Sequence, residues 1–166
     1  IRKQMGELDV FRRPNRDAAL FEAAHLDFIG VSMGHILAGS LAAVAPKIRR
    51  VILNVGGAGF THIVARSRAF APFMHLMDTP IPDPLDRQKF ISTLQTQFDR
   101  IDAASYANEL KARDEVRVLM QIGLGDTTVP NLASFLHARL LQLKLLRPTP
   151  IALAGLDQVE GPYPGS

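Results

Sequence analysis

The stretch Phe28-Ile29-Gly30-Val31-Ser32-Met33-Gly34 decides the fold prediction, because a strand-like apolar run enters a Gly-x-Ser-x-Gly pattern. This pattern is typical of a serine at the tip of a sharp strand-to-helix turn. The backbone of such a serine is strained, and glycines two positions away let the strand and the helix pass closely. We therefore predict a buried strand over residues 26–31 and a helix from Gly34 to about residue 44.

The pattern alone is weak, because it arises by chance in roughly one chain in twenty of this size. The 166 residues, 47% of them hydrophobic, suit one domain with a core. The net charge of +3 comes from scattered Lys and Arg, which argues against a nucleic-acid partner. Cysteine is absent, which excludes thiolate metal sites and a cysteine nucleophile. We expect no cofactor, no metal ion and no transmembrane segment, since no stretch approaches the ~20 apolar residues of a span.

Further apolar runs predict the rest of the sheet. Residues 50–55 and 117–123 read as buried strands, and residues 151–154 as a short fourth one. The continuous apolar character of the run at 50–55 indicates burial on both faces, as in a parallel sheet. The glycine-rich loop 56–59 suggests a phosphate cradle, but it lacks the third glycine of a dinucleotide fingerprint. Nucleotide binding is therefore kept as a minor hypothesis.

Helical spacing accounts for much of the remaining chain. Residues 2–13 predict a short amphipathic helix, and Asp17 can cap a second one over residues 18–24. Asn131 is expected to cap a long helix whose apolar residues continue to Leu143.

Residues 60–113 separate the second and third strands by far more than a simple crossover needs. They are rich in Phe and Met and are interrupted by a proline-rich run at 80–84. We predict a mainly helical insertion, a cap or lid, between two parts of an incomplete core at residues 1–59 and 114–166. Its aromatic residues are expected to pack inside the insertion, and the alternative is that some roof an apolar substrate pocket.

The order strand, helix, strand, insertion, strand, helix is that of an α/β fold with a mostly parallel sheet flanked by helices. Such a sheet brings Ser32 and Asp126 to one edge, because both follow the carboxyl ends of parallel strands. With these two motifs the sequence resembles the α/β-hydrolase superfamily. Residues 30–34 resemble its nucleophile elbow, and Ile122-Gly123-Leu124-Gly125-Asp126-Thr127-Thr128-Val129-Pro130 resembles its acid loop. The resemblance covers about residues 26–140.

The resemblance implies a partial α/β-hydrolase fold and an esterase- or lipase-like activity. Ser32 would be the nucleophile, Asp126 would orient a histidine, and the backbone N–H of Met33 would be one oxyanion donor. Gly30 and Gly34 would be the elbow glycines. The substrate would be a small-molecule ester with an apolar acyl group, cleaved through an acyl-enzyme. Amide, thioester and peptide substrates stay open, because the same triad serves them.

Two alternatives concern the residues themselves. Ser32 can be an ordinary helix N-cap, and Asp126 can be a turn residue. Asp102 is a rival acid, although we expect it to cap the helix that follows it.

The chain departs from the family pattern because no base follows the acid in the expected place. His137 is the only histidine after Asp126, and we expect it at a surface or half-buried position in a helix. The strands before the elbow and the loop with the second oxyanion donor are also missing. An internal fragment of a larger hydrolase explains these departures, and such a chain would be weakly active or inactive. The alternative is a non-catalytic ligand-binding module on a similar fold.

Overall fold

The structure is a computed structural model that describes residues 26–161 continuously and residues 4, 7, 8, 10 and 12 singly. The helices predicted over residues 2–13 and 18–24 lie outside the continuously described part. That part begins directly with the strand of the predicted elbow.

A three-stranded parallel sheet forms the centre of the described chain. Its strands are β1 (Leu26–Val31), β2 (Ile48–Asn54) and β3 (Arg117–Gln121), in the order β1-β2-β3. Gly30 pairs with Leu53, and Leu53 pairs with Met120, so the three carboxyl ends meet at one edge. The predicted α/β class, with a parallel sheet flanked by helices, is confirmed.

One face of this sheet carries a hydrophobic core, and the other is open in the described part of the chain. Helix α1 (Met33–Val44) packs on the first face, where Val51 is 1% exposed and Leu53 is fully buried. On the second face Ile29 is 64% exposed and Leu119 is 45% exposed. The predictions of buried first and third strands, and of a second strand buried on both faces, are therefore wrong. The reason is that α1, the described helix that packs on β1 and β2, covers only the first face.

The described chain between β2 and β3 is helical. It contains α2 (Phe60–Arg66), a 3₁₀ turn (Arg68–Phe70), α3 (Ala71–Leu76), α4 (Pro84–Phe98) and α5 (Ala107–Lys111). Asp83 caps α4, since its Oδ1 accepts from the N–H groups of Leu85 and Asp86. Helix α5 packs on α1 and contributes Ala107 and Leu110 to the core of the sheet. The separation of residues 60–113 as a cap or lid stays a prediction.

Helix α6 (Asn131–Leu140) follows β3 and ends before Leu143, with Gln142 at a φ of 53°. Beyond it, β4 (Leu145–Arg147) pairs in parallel with β5 (Gln158–Glu160) as a separate two-stranded sheet. Residues 151–154 lie in the connection between these strands, so the predicted fourth strand is wrong. Prolines precede that run and cannot donate to a strand ladder. Among the described residues, no helix combines the length and the hydrophobicity that a membrane span requires.

Candidate functional site

Ser32 occupies the turn between β1 and α1 with a backbone φ of 53° and ψ of −114°. A positive φ is uncommon outside glycine, and such strain persists only where neighbouring structure enforces it. Here the Ser32 N–H donates to the Asn54 carbonyl at 2.9 Å, and the Ser32 carbonyl accepts from the Ile36 N–H at 3.0 Å. The Ser32 hydroxyl makes no capping hydrogen bond to α1. The interpretation of Ser32 as an N-cap therefore lacks the bond that defines that role.

Gly30 and Gly34 face different surroundings. A Cβ on Gly30 would lie 2.4 Å from the carbonyl oxygen of Gly34 and 2.8 Å from the backbone nitrogen of His35. The strand and the helix approach this closely because residue 30 has no side chain. A Cβ on Gly34 would meet nothing within 4 Å beyond the backbone of its own helix. Close approach thus gives a steric reason for Gly30 and none for Gly34.

Met33 begins α1, and the residue is 48% exposed. The first N–H groups of a helix have no acceptor within the helix, and they form the positive end of its dipole. Helix α1 has no acidic residue in its first turn that would offset this charge. The start of α1 is therefore suited to a developing oxyanion beside Ser32, and the donor role of the Met33 N–H stays a prediction.

Asp126 lies in the loop after β3, and its carboxylate is engaged by that loop. Its Oδ1 accepts from the N–H of Thr128 at 2.7 Å and of Val129 at 3.0 Å. Because β2 separates β1 from β3, the end of β3 that leads into this loop lies about 10 Å from the end of β1 beside Ser32, which is two strand spacings. Within the described chain no histidine is hydrogen-bonded to Asp126. A third group would have to bridge the gap to Ser32.

Asn131 braces the loop that carries Asp126. Its Nδ2 donates to the Gly123 carbonyl at 2.7 Å, and its Oδ1 accepts from the Gly125 N–H at 2.8 Å. Pro130 takes the N-cap position of α6. The predicted cap at Asn131 is therefore wrong, because its amide is bound to the preceding loop and not to the helix.

His35 and His137 form a buried pair that joins α1 to α6. His35 Nε2 and His137 Nδ1 are 3.1 Å apart, and both residues are fully buried. The predicted surface or half-buried position of His137 is wrong. Its ring lies against Gly39, where a Cβ would come within 3.1 Å of it. The small residues Ala133, Ser134 and Ala138 around His137 were the sequence signal of this close packing.

Burial holds both imidazoles in the neutral form. Removal from water, together with a smaller effect of the neighbouring His137, lowers the pKa of His35 from 6.5 to about 3. Burial also lowers the pKa of His137 to about 4, against the opposing effect of the Asp102 carboxylate. Two neutral rings can share a hydrogen bond, since one nitrogen donates and the other accepts. The pair is thus part of the protein interior, and neither ring is bonded to Ser32 or Asp126.

Asp102 is 2% exposed and holds the start of α2. Its Oδ1 accepts from the Gly59 N–H at 2.9 Å, and its Oδ2 accepts from the Phe60 N–H at 2.6 Å. Burial alone would raise the pKa of Asp102, but backbone hydrogen bonds from Gly59, Ala104 and Phe60, with Gln95, hold it below 3.8. Asp102 therefore caps a helix that precedes it, and the prediction that it caps the following helix is wrong.

These contacts argue against phosphate binding at the glycine-rich loop. The N–H groups of Gly59 and Phe60 are the ones a phosphate would use at the start of α2, and the Asp102 carboxylate takes both. A Cβ on Gly57 would lie 2.4 Å from the backbone carbon of Ala133. The glycine at position 57 therefore serves close packing against α6.

Three phenylalanines of the helical segment pack on one another, whereas Phe73 and Phe90 are exposed. Phe60 meets Phe70 edge-on at a centroid distance of 5.9 Å and Phe98 at 4.6 Å. A groove of about 1120 Å³ lies elsewhere, along the open sheet face that includes Ile29 and Ile52, and Ser32 does not line it. Among the described residues, no cluster of three or more His, Asp or Glu side chains suits a metal ion.

No protein-family model matches the chain, and no curated protein matches it. Among solved structures, the chain is similar to the enol-lactonase from Burkholderia xenovorans LB400, with 20% sequence identity and a TM-score of 0.35. The match covers 86% of this chain and 58% of that one, so the chain spans little more than half the length of the enol-lactonase. A likeness at this level carries no argument about activity, and the α/β architecture rests on the parallel sheet itself.

Proposed function

We propose that the protein is a serine hydrolase of the α/β-hydrolase type that cleaves carboxylic esters through an acyl-enzyme. The observation that supports this most is the strained turn at Ser32, with φ 53° and ψ −114° between a parallel strand and a helix. Backbone strain of this kind costs energy and is concentrated at functional sites. In this proposal Ser32 is the nucleophile, Asp126 is the acid, and the Met33 N–H is an oxyanion donor.

The proposed reaction uses the start of α1 and a base. Ser32 Oγ attacks the ester carbonyl carbon while the base accepts the hydroxyl proton. The N–H groups at the start of α1 stabilise the negative carbonyl oxygen, the alcohol leaves with a proton, and water then cleaves the acyl–serine ester. His35 and His137 are bonded to each other, so the described residues supply no base across the gap between Ser32 and Asp126. The chain alone is accordingly expected to react slowly.

A non-catalytic binding module on the same fold is the second candidate. It is favoured by the same buried histidine pair and by the engagement of Asp126 Oδ1 with its own loop. In such a module Ser32 would bind a ligand through its hydroxyl without forming a covalent bond.

A fluorophosphonate probe separates the two candidates. We expect slow labelling of the full-length protein at Ser32, where Oγ bonds to phosphorus as fluoride and the hydroxyl proton leave. Labelling should disappear in Ser32→Ala, as read by peptide mass spectrometry. Ser92→Ala is the matched control, because Ser92 is exposed on α4. The Ser92→Ala variant should be labelled at Ser32 to the same extent as the unmodified protein. Equal labelling of Ser32→Ala would rule out Ser32 as the nucleophile, and an unlabelled protein would favour the binding module.

A further inference from the structure

Val55 follows β2 with a backbone φ of 42°. A β-branched residue in this region is a genuine outlier, because its side chain crowds its own backbone. The conformation is enforced from both sides. The preceding carbonyl, of Asn54, accepts from the Ser32 N–H at 2.9 Å, and the Val55 N–H donates to the Gln121 carbonyl at 2.9 Å. A glycine at position 55 would adopt this φ without strain. The valine therefore adds a side chain at this position and makes the backbone there more strained than a glycine would.

The Val55 side chain lies between Ser32, the proposed nucleophile, and the loop that carries Asp126, the proposed acid. Val31 and Asn54 are partners in the sheet, so Val55 stands one step further on, beside Ser32 and about 5 Å across. On its other side, Val55 Cγ1 is 3.3 Å from the place where a Cβ of Gly123 would be. The Val55 side chain is half-buried and forms part of the surface between the two strand ends.

We infer that Val55 is a specificity-determining residue, whose side chain limits the size of the group that Ser32 can carry. The order β1-β2-β3 puts the end of β2 between Ser32 and the loop of Asp126. A group bonded to Ser32 Oγ and directed toward that loop must therefore pass over Val55. The inference rests on the proposed function, whereas the strain and the position of Val55 do not depend on it.

Two fluorophosphonates, one with an ethyl and one with a cyclohexyl substituent, measure this limit directly. Each forms an Oγ–phosphorus bond at Ser32 as the phosphorus–fluorine bond breaks and the hydroxyl proton is released. We expect Val55→Ala to raise the cyclohexyl-to-ethyl ratio of labelling rates about tenfold, and Val55→Leu to lower it by a similar factor. Val44→Ala is the matched control, since Val44 is 64% exposed where α1 ends, away from Ser32, and should leave the ratio unchanged.

Gly123→Ala tests the same contact from the other side. Its Cβ would press on Val55 Cγ1 at 3.3 Å, which is tighter than ordinary contact. We expect Gly123→Ala to change the cyclohexyl-to-ethyl ratio severalfold when Val55 is present. In combination with Val55→Ala it should have little effect on that ratio.

The inference is overturned if the cyclohexyl-to-ethyl ratio of labelling rates in Val55→Ala stays within about twofold of the ratio in the unmodified protein. Circular dichroism verifies that the variant is folded. The inference is also overturned if Gly123→Ala changes the cyclohexyl-to-ethyl ratio by the same factor in the protein with Val55 and in the Val55→Ala variant. This second comparison keeps the test decisive if Val55→Leu does not fold. Failure to label Ser32 in the unmodified protein is a different result. It removes the nucleophile, and therefore both the proposed function and the role of Val55.

Discussion

Two residues with strained backbones lie at neighbouring strand ends, and Gln142, after α6, is a further residue with a positive φ. Ser32 and Val55 have φ values of 53° and 42°, and hydrogen bonds between adjacent strands hold both. The elbow also depends on an absent side chain, because Gly30 lies against the backbone of Gly34 and His35. Strain and close approach at one sheet edge fit a site that is assembled by the strands around it.

Exchanging the two elbow glycines separately tests this close approach. Gly30→Ala should lower the free energy of unfolding by about 2 kcal/mol, because its Cβ must displace backbone atoms. Gly34→Ala is the matched control, since open space surrounds that position and alanine favours a helix by up to about 1 kcal/mol. Urea unfolding measures both. Equal destabilisation by the two variants would show that the approach of β1 to α1 is not what requires Gly30.

At the scale of elements, charged side chains distant in sequence hold two helix ends. Arg113 donates to the carbonyls of Ala42 and Ala45, where α1 ends, at 2.5 and 2.7 Å. Asp102 accepts from the N–H groups of Gly59 and Phe60, where α2 begins. A cation at a helix C-terminus and an anion at an N-terminus also complement the helix dipole. These contacts therefore place α1 and α2 relative to the sheet.

Asp102→Ala should lower the free energy of unfolding by about 3 kcal/mol, because buried N–H groups of Gly59 and Phe60 lose a charged acceptor. Asp99→Ala is the matched control. Asp99 is exposed and accepts one side-chain hydrogen bond, from Gln95, so its loss should cost less than about 1 kcal/mol. Urea unfolding measures the free energy of unfolding of both variants. Similar losses in the two would mean that Asp102 does not hold the start of α2.

For the whole molecule, the buried histidine pair connects helices that are far apart in the chain. His35 and His137 are separated by 102 positions and bring α1 against α6 on the packed side of the sheet. The opposite face keeps Ile29 and Leu119 exposed. The stability of the described fold thus depends on one packed side, and two neutral imidazoles lie within it.

The free energy of unfolding should therefore fall as the pH falls from 6.5 toward 4. The folded-state pKa values of His35 and His137, about 3 and 4, lie below 6.5, so at these two residues the unfolded chain takes up protons first as the pH falls. The loss reaches about 1.4 kcal/mol per pH unit for each histidine and is absent above the unfolded pKa. Hydrogen bonds hold the pKa of Asp102 below its ordinary value, so Asp102 adds to the loss from about pH 5 downward, where the unfolded carboxyl takes up protons.

Urea unfolding at a series of pH values measures this slope. His137→Asn should reduce the slope by about half, and His62→Asn, at an exposed position on α2, should leave it unchanged. An unaltered slope in His137→Asn would show that the buried pair is not the source of the pH dependence.

The sequence by itself determined the features that depend on local pattern. Apolar runs and glycines predicted the β1–α1 turn, three strands along the chain and the helical content between β2 and β3, because backbone preferences act over a few residues. The pattern also placed Ser32 and Asp126 at the ends of parallel strands. Their chemical roles stay proposals.

Only the tertiary structure decided which side chains meet and which faces are covered. Asp102 finds Gly59 at a separation of 43 positions, and His137 finds His35 at 102. Asn131 turns back to its loop although its sequence position suits a helix cap. Apolar strands keep one face exposed because the packing of α1, and not the hydrophobicity of the strands, decides which face is covered. Such partners are set by the packing of distant segments, which no local pattern encodes.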